Sequence, residues 1–131
     1  MMRGAPSILA ESGQQGILKL EEVEVHLKGL RNILVHLGML DGKIVKTNKR
    51  KFIQNYTAIR SEYVGMWYPC VKLNQPVKTG DVVGHIRDYF GEPVAKIKSK
   101  LDGIITVVRT SPAVKVGNVL VEHGIVASEE A

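Results

Sequence analysis

One carboxylate in this 131-residue chain stands where chemistry is easiest to build. Glu11 follows the apolar run Ser7 to Ala10 and opens the segment Glu11-Ser12-Gly13-Gln14-Gln15-Gly16, after which a helical pattern begins. A strand that hands over to a glycine loop and then to a helix is where α/β sheets collect their active sites, because side chains at the carboxyl ends of strands are free to converge on a ligand. A glutamate before a glycine loop is more commonly an exposed or structural residue, so position alone does not assign it a role.

The other groups that could do chemistry do not converge. His26 and His36 are ten residues apart on the expected helix and nearly a quarter turn out of phase, unlike an i, i+4 metal pair. His85 and His123 fall near the ends of expected strands, where a partly exposed structural histidine is the ordinary occupant. No carboxylate and histidine grouping has the spacing of a zinc site, so no metal ligand is assigned in this chain. The single cysteine, Cys70, can form no internal disulfide. Five of the eighteen basic residues lie in Lys43, Lys46, Lys49, Arg50 and Lys51, yet no aromatic platform interleaves them, and they read as a solvated linker rather than a nucleic-acid site.

The elements that must position Glu11 follow from periodicity. Leu20 to Leu37 reads as a helix with Val23, His26, Leu27, Leu30, Ile33, Leu34 and Leu37 on one face. Glu21, Glu22 and Glu24 suit its positive end, Gly38 suits the C′ position, and Gly29 weakens its middle. One strand and one helix do not make a fold, so residues 1–40 look like the end of an α/β domain, followed by a basic linker over 41–55. The apolar face of helix 20–37 must then be covered by the β unit or by self-association with a second copy, or face solvent.

From residue 56 to 126 the pattern changes to period two, and it contains itself twice. Val77-Lys78-Thr79-Gly80-Asp81-Val82-Val83 returns 37 positions later as Val114-Lys115-Val116-Gly117-Asn118-Val119-Leu120, and Gly65-Met66-Trp67-Tyr68 corresponds at offset 38 to Gly103-Ile104-Ile105-Thr106. Two units with one apolar face each bury those faces against each other, which predicts a two-fold β sandwich or flattened barrel, so the fold class is mainly β. Strands are expected over 56–64, 67–73, 82–87, 93–98, 104–109 and 119–123, with a hairpin tip at Asp88 to Glu92 and a frayed tail over 127–131. Pro69 marks an edge or bulge.

On these residues the chain resembles the later part of the succinylglutamate desuccinylase and aspartoacylase family, zinc-dependent amidohydrolases with a carboxypeptidase-like catalytic domain. The resemblance runs from about Pro6 to Gly124. It is carried by Ile8 to Gly16, Val25 to Leu34, Leu37-Gly38-Met39-Leu40, Gly65 to Pro69, Val77 to Gly84, Phe90-Gly91-Glu92 and Leu101-Asp102-Gly103. It implies that Glu11 matches the family's catalytic glutamate, which activates a zinc-bound water and then protonates the leaving amine. It also implies that residues 56–126 form a barrel-sandwich hybrid akin to lipoyl and biotinyl domains. The family's His-x-x-Glu zinc pair is absent from this sequence, so zinc would be held by ligands outside this chain and the chain alone is expected to be inactive. The implied partner is a small N-acylated amino acid or related amide.

Two other readings are open. A biotinyl or lipoyl carrier needs a lysine at the hairpin tip, and Asp88-Tyr89-Phe90-Gly91-Glu92 offers none; Lys96 and Lys98 read as the solvent face of the next strand. A non-catalytic binding module would use Trp67, Tyr68, Tyr89 and Phe90, although Trp67 and Tyr68 should alternate between core and solvent and Tyr89-Phe90 should close the packing at the tip. No apolar run reaches the roughly 18 residues of a membrane span and the start has no signal core, so the expected location is cytoplasmic.

Overall fold

The computed structural model describes residue 4, residues 7–46 and residues 50–127, and the chain divides into two compact units, Met1–Lys49 and Arg50–Ala131. The tail beyond Ala127 and part of the basic linker lie outside the described residues.

The first unit is a glycine loop and one helix, α1 (Leu20–His36), with no strand at Ser7 to Ala10. That corrects the expected strand: an extended segment becomes a strand only where another pairs with its backbone, and none is offered to it among the described residues. α1 starts without a side-chain cap at Lys19. It ends in a Schellman motif, with the Met39 N–H donating to the Leu34 carbonyl (2.9 Å), the Gly38 N–H donating to the Val35 carbonyl (3.1 Å) and Gly38 at φ +70°. The Asn32 side chain donates to the Val45 carbonyl and accepts from its N–H, which holds the segment after the helix against α1. The apolar stripe is exposed at Val23, Leu27, Leu30, Ile33 and Leu37.

The second unit carries the strands β1 (Ile53–Arg60), β2 (Gly65–Pro69), β3 (Pro76–Val77), β4 (Val82–Arg87), β5 (Pro93–Lys98), β6 (Gly103–Val108), β7 (Ala113–Val114) and β8 (Val119–Val126). β1 begins inside the stretch read as linker. The two four-stranded antiparallel sheets run β1-β8-β6-β3 and β5-β4-β2-β7. Exchanging β1 with β5, β2 with β6, β3 with β7 and β4 with β8 turns one order into the other, so the repeat is a structural two-fold. Each sheet takes two strands from each half.

The two-fold extends to single bonds. Gly80 (φ +93°) and Gly117 (φ +87°) make equivalent turns, in which Lys78 N–H donates to Asp81 Oδ2 (2.8 Å) and Lys115 N–H to Asn118 Oδ1 (3.0 Å). Asp and Asn are interchangeable there because only an acceptor oxygen is needed. The buried Ser61 and Ser99 hold the same place in each half: their hydroxyls donate to the carbonyls of Tyr63 and Leu101, and their N–H groups donate to those of Asn118 and Asp81.

Ile59, Trp67, Val71, Val77, Val83, Ile86, Ile105, Val114, Leu120 and Val121 form the core between the sheets. His123 takes the place that Ile86 holds in the other half and is fully buried, not partly exposed as its position near a strand end suggested. Its Nδ1 lies 2.9 Å from the Thr57 carbonyl, which can only accept, so Nδ1 carries the proton.

The contact between Asp102 and Thr79 has no two-fold mate. Asp102 Oδ1 accepts from the N–H (2.7 Å) and the hydroxyl (2.8 Å) of Thr79, which ties the entry of β6 to the turn before β4. These donors, with the nearby Lys78 charge, hold the Asp102 carboxyl below the usual aspartate range. A carboxyl whose folded value is depressed stabilises the fold above its unfolded value, and that contribution fades as pH falls through the lower folded value. Asp102→Asn should therefore lower stability at neutral pH and flatten the acid limb of a denaturation midpoint against pH profile. An unchanged acid limb would show that the bond carries no linkage.

Candidate functional site

Glu11 lies on the loop from Ala10 to Ile17, whose course is set by three residues at positive φ: Gly13 (+93°), Gln15 (+57°) and Gly16 (+66°). The Ile17 N–H donates to the Gln14 carbonyl (3.1 Å) and closes the last turn before α1. Gly13 is needed for its φ of +93°, and a Cβ there would also push aside the end of the Glu22 side chain. The loop is thus laid against the first turn of α1.

The loop and His26 together line an open concavity of about 390 Å³. Glu11 is exposed, its side chain makes no hydrogen bond to a described residue, and it is open to a small solute. Sequence reasoning placed His26 on the apolar stripe; the structure places it on the rim of the Glu11 concavity. Glu22 and His26, at i and i+4, are half-buried on a helix whose apolar stripe is exposed, and this spacing was the available signal. His36, His85 and His123 take no part in this concavity. Among the described residues no group of three or more His, Cys, Asp or Glu side chains is placed to hold a metal ion. No helix among the described residues is long and apolar enough to cross a membrane.

The hairpin tip corrects one expectation. Trp67 is buried and Tyr68 exposed, as alternation predicts, but Tyr89 is 68% and Phe90 93% exposed, so the tip does not close the packing of the β unit among the described residues. It is rigid nonetheless, because Asp88 Oδ1 accepts from the N–H groups of Phe90 and Glu92 (2.9 Å each) and Arg87 donates to the Gly91 carbonyl (3.0 Å).

The second unit is a barrel-sandwich hybrid, preceded in the chain by a glycine loop and a helix. No protein-family model matches the chain. It is 25% identical over 124 residues to the N-alpha-acetyl-L-2,4-diaminobutyric acid deacetylase of Halomonas elongata, a match covering 90% of this chain and 36% of that protein. Among solved structures, a succinylglutamate desuccinylase from a Silicibacter species superposes with a TM-score of 0.73 at 23% identity, over 86% of this chain and 35% of that one. The product-bound ectoine utilization protein of Ruegeria pomeroyi superposes with a TM-score of 0.71 at 22% identity, over 84% of this chain and 35% of that one. The chain spans about a third of the length of these relatives. Its fold is that of the C-terminal part of the succinylglutamate desuccinylase and aspartoacylase family, the family that the motifs from Ile8 to Gly103 resemble.

Proposed function

We propose that this chain is the C-terminal portion of a hydrolase that removes the acyl group from N-acyl amino acids or related small amides, with Glu11 as the group that moves the proton. The observation carrying this reading is that the likeness to a deacetylase covers 90% of the chain, while Glu11 stands exposed on the wall of a concavity sized for a small solute. A carboxylate so placed takes a proton from the attacking water and returns it to the departing amine. The zinc expected of the parent would be held by ligands outside this chain, since no group of three or more His, Cys, Asp or Glu side chains gathers among the described residues. The substrate is then a small molecule and the setting cytoplasmic, with the 131-residue chain inactive by itself.

The test is a deacylase screen, with N-acetyl and N-succinyl amino acids, of the longest natural polypeptide that contains this sequence, alongside the 131-residue chain. Turnover by the long form alone supports the reading. Turnover by the short chain, or none by the long form with any acyl group, overturns it. A second reading, a non-catalytic binding module, is favoured by the exposed and rigid Tyr89-Phe90 tip. It would leave both forms inactive.

A further inference from the structure

β5 is the terminal strand of its sheet, so one side of its backbone has no strand to pair with among the described residues. Its solvent face presents Lys96 and Lys98, both exposed, and neither is in an ion pair among the described residues. Side chains two positions apart on a strand project from the same face about 7 Å apart. Lys100 continues the line. From the other sheet, Arg60 at the end of β1, the two-fold mate of Lys98, faces the same groove of about 180 Å³. Four cations thus border a groove in which Glu62 is the one acid, and Ile59 and Ile97 give it an apolar floor.

We propose that this edge docks an extended acidic polypeptide segment, which adds to β5 as a further strand and sets carboxylates at alternate positions against Lys96 and Lys98. The two-residue repeat of the cations is the repeat of a strand, and the free backbone edge supplies the donors and acceptors that strand addition uses. Cross-strand pairs of opposite charge favour this register. Lysines on a sheet edge also repel a like-charged strand, which excludes the β5 edge of a second copy as the occupant and admits only a strand of complementary charge.

The experiment titrates the 15N-labelled 131-residue chain at low salt with a capped synthetic peptide alternating glutamate with valine, and with its glutamine counterpart. Expected are amide shift changes confined to residues 93–100 and the adjacent end of β1. Binding should weaken at least about tenfold in Lys96→Glu/Lys98→Glu, whose exposed positions leave the core intact, and weaken similarly in high salt. No shift at ~1 mM peptide would overturn the proposal. So would equal shifts with the glutamine peptide, or tighter binding of an oligothymidylate of equal charge at the same residues.

Discussion

Replacing Glu11 by glutamine in the longest natural form of the protein is expected to lower kcat by about 10²–10⁴-fold with KM nearly unchanged, the range that removal of a general acid and base gives. Glutamine keeps the size and loses the proton-carrying oxygen. Glu11 is exposed and sits outside the core, so the melting temperature of the variant should match that of the parent. Gly13→Ala is a companion with a different cause. It strains a backbone at φ +93° and displaces the end of the Glu22 side chain, so it should move the loop and lower turnover without touching the carboxylate chemistry. Steady-state kinetics on the two variants separate the effects: full activity in Glu11→Gln would remove Glu11 from the reaction.

Gly84→Ala should cost about 3 kcal/mol or more of stability, as overpacking of a closed core does. A Cβ at Gly84 would be driven into the Trp67 indole and would stand 2.7 Å from the Tyr68 carbonyl. The indole has nowhere to go, since Trp67 is only 3% exposed and lies in the core. Gly80→Ala is the contrast, because its Cβ meets nothing within 4 Å and only its φ of +93° is strained, for a loss of about 1 kcal/mol. Trp67 is the single tryptophan, so its fluorescence reports both variants in a denaturant titration. A domain of this size is held by roughly 0.05–0.15 kcal/mol per residue, so the first variant should lose a large share of its stability and unfold at a clearly lower denaturant midpoint than Gly80→Ala. Equal midpoints would mean that the sheets can part without cost.

The sandwich was legible in the sequence because its repeat is made of turn residues. Gly80-Asp81 and Gly117-Asn118 need a positive φ and an acceptor oxygen, and such requirements leave a mark that survives change in the strands around them. The pairing partners were not legible: β3 and β7 are two residues long and take their identity from β6 and β2. The role of Ser61 and Ser99 was also missed, although Ile59-Arg60-Ser61 returns as Ile97-Lys98-Ser99, because the bonds they make cross between halves. Ser7 to Ala10 has a strand's composition and no neighbour to pair with among the described residues. The burial of His123 followed from where Ile86 sits in the other half, which becomes visible only once the halves are superposed.

The exchange of strands between the two sheets means that neither β1 to β4 nor β5 to β8 encloses anything by itself. Cutting the chain at the Asp88 to Glu92 tip should give two fragments that are unstructured apart and recover the native spectrum when mixed. In that sense the unit is a homodimer written on one chain, and its only covalent bookmark is the tip from which Phe90 projects.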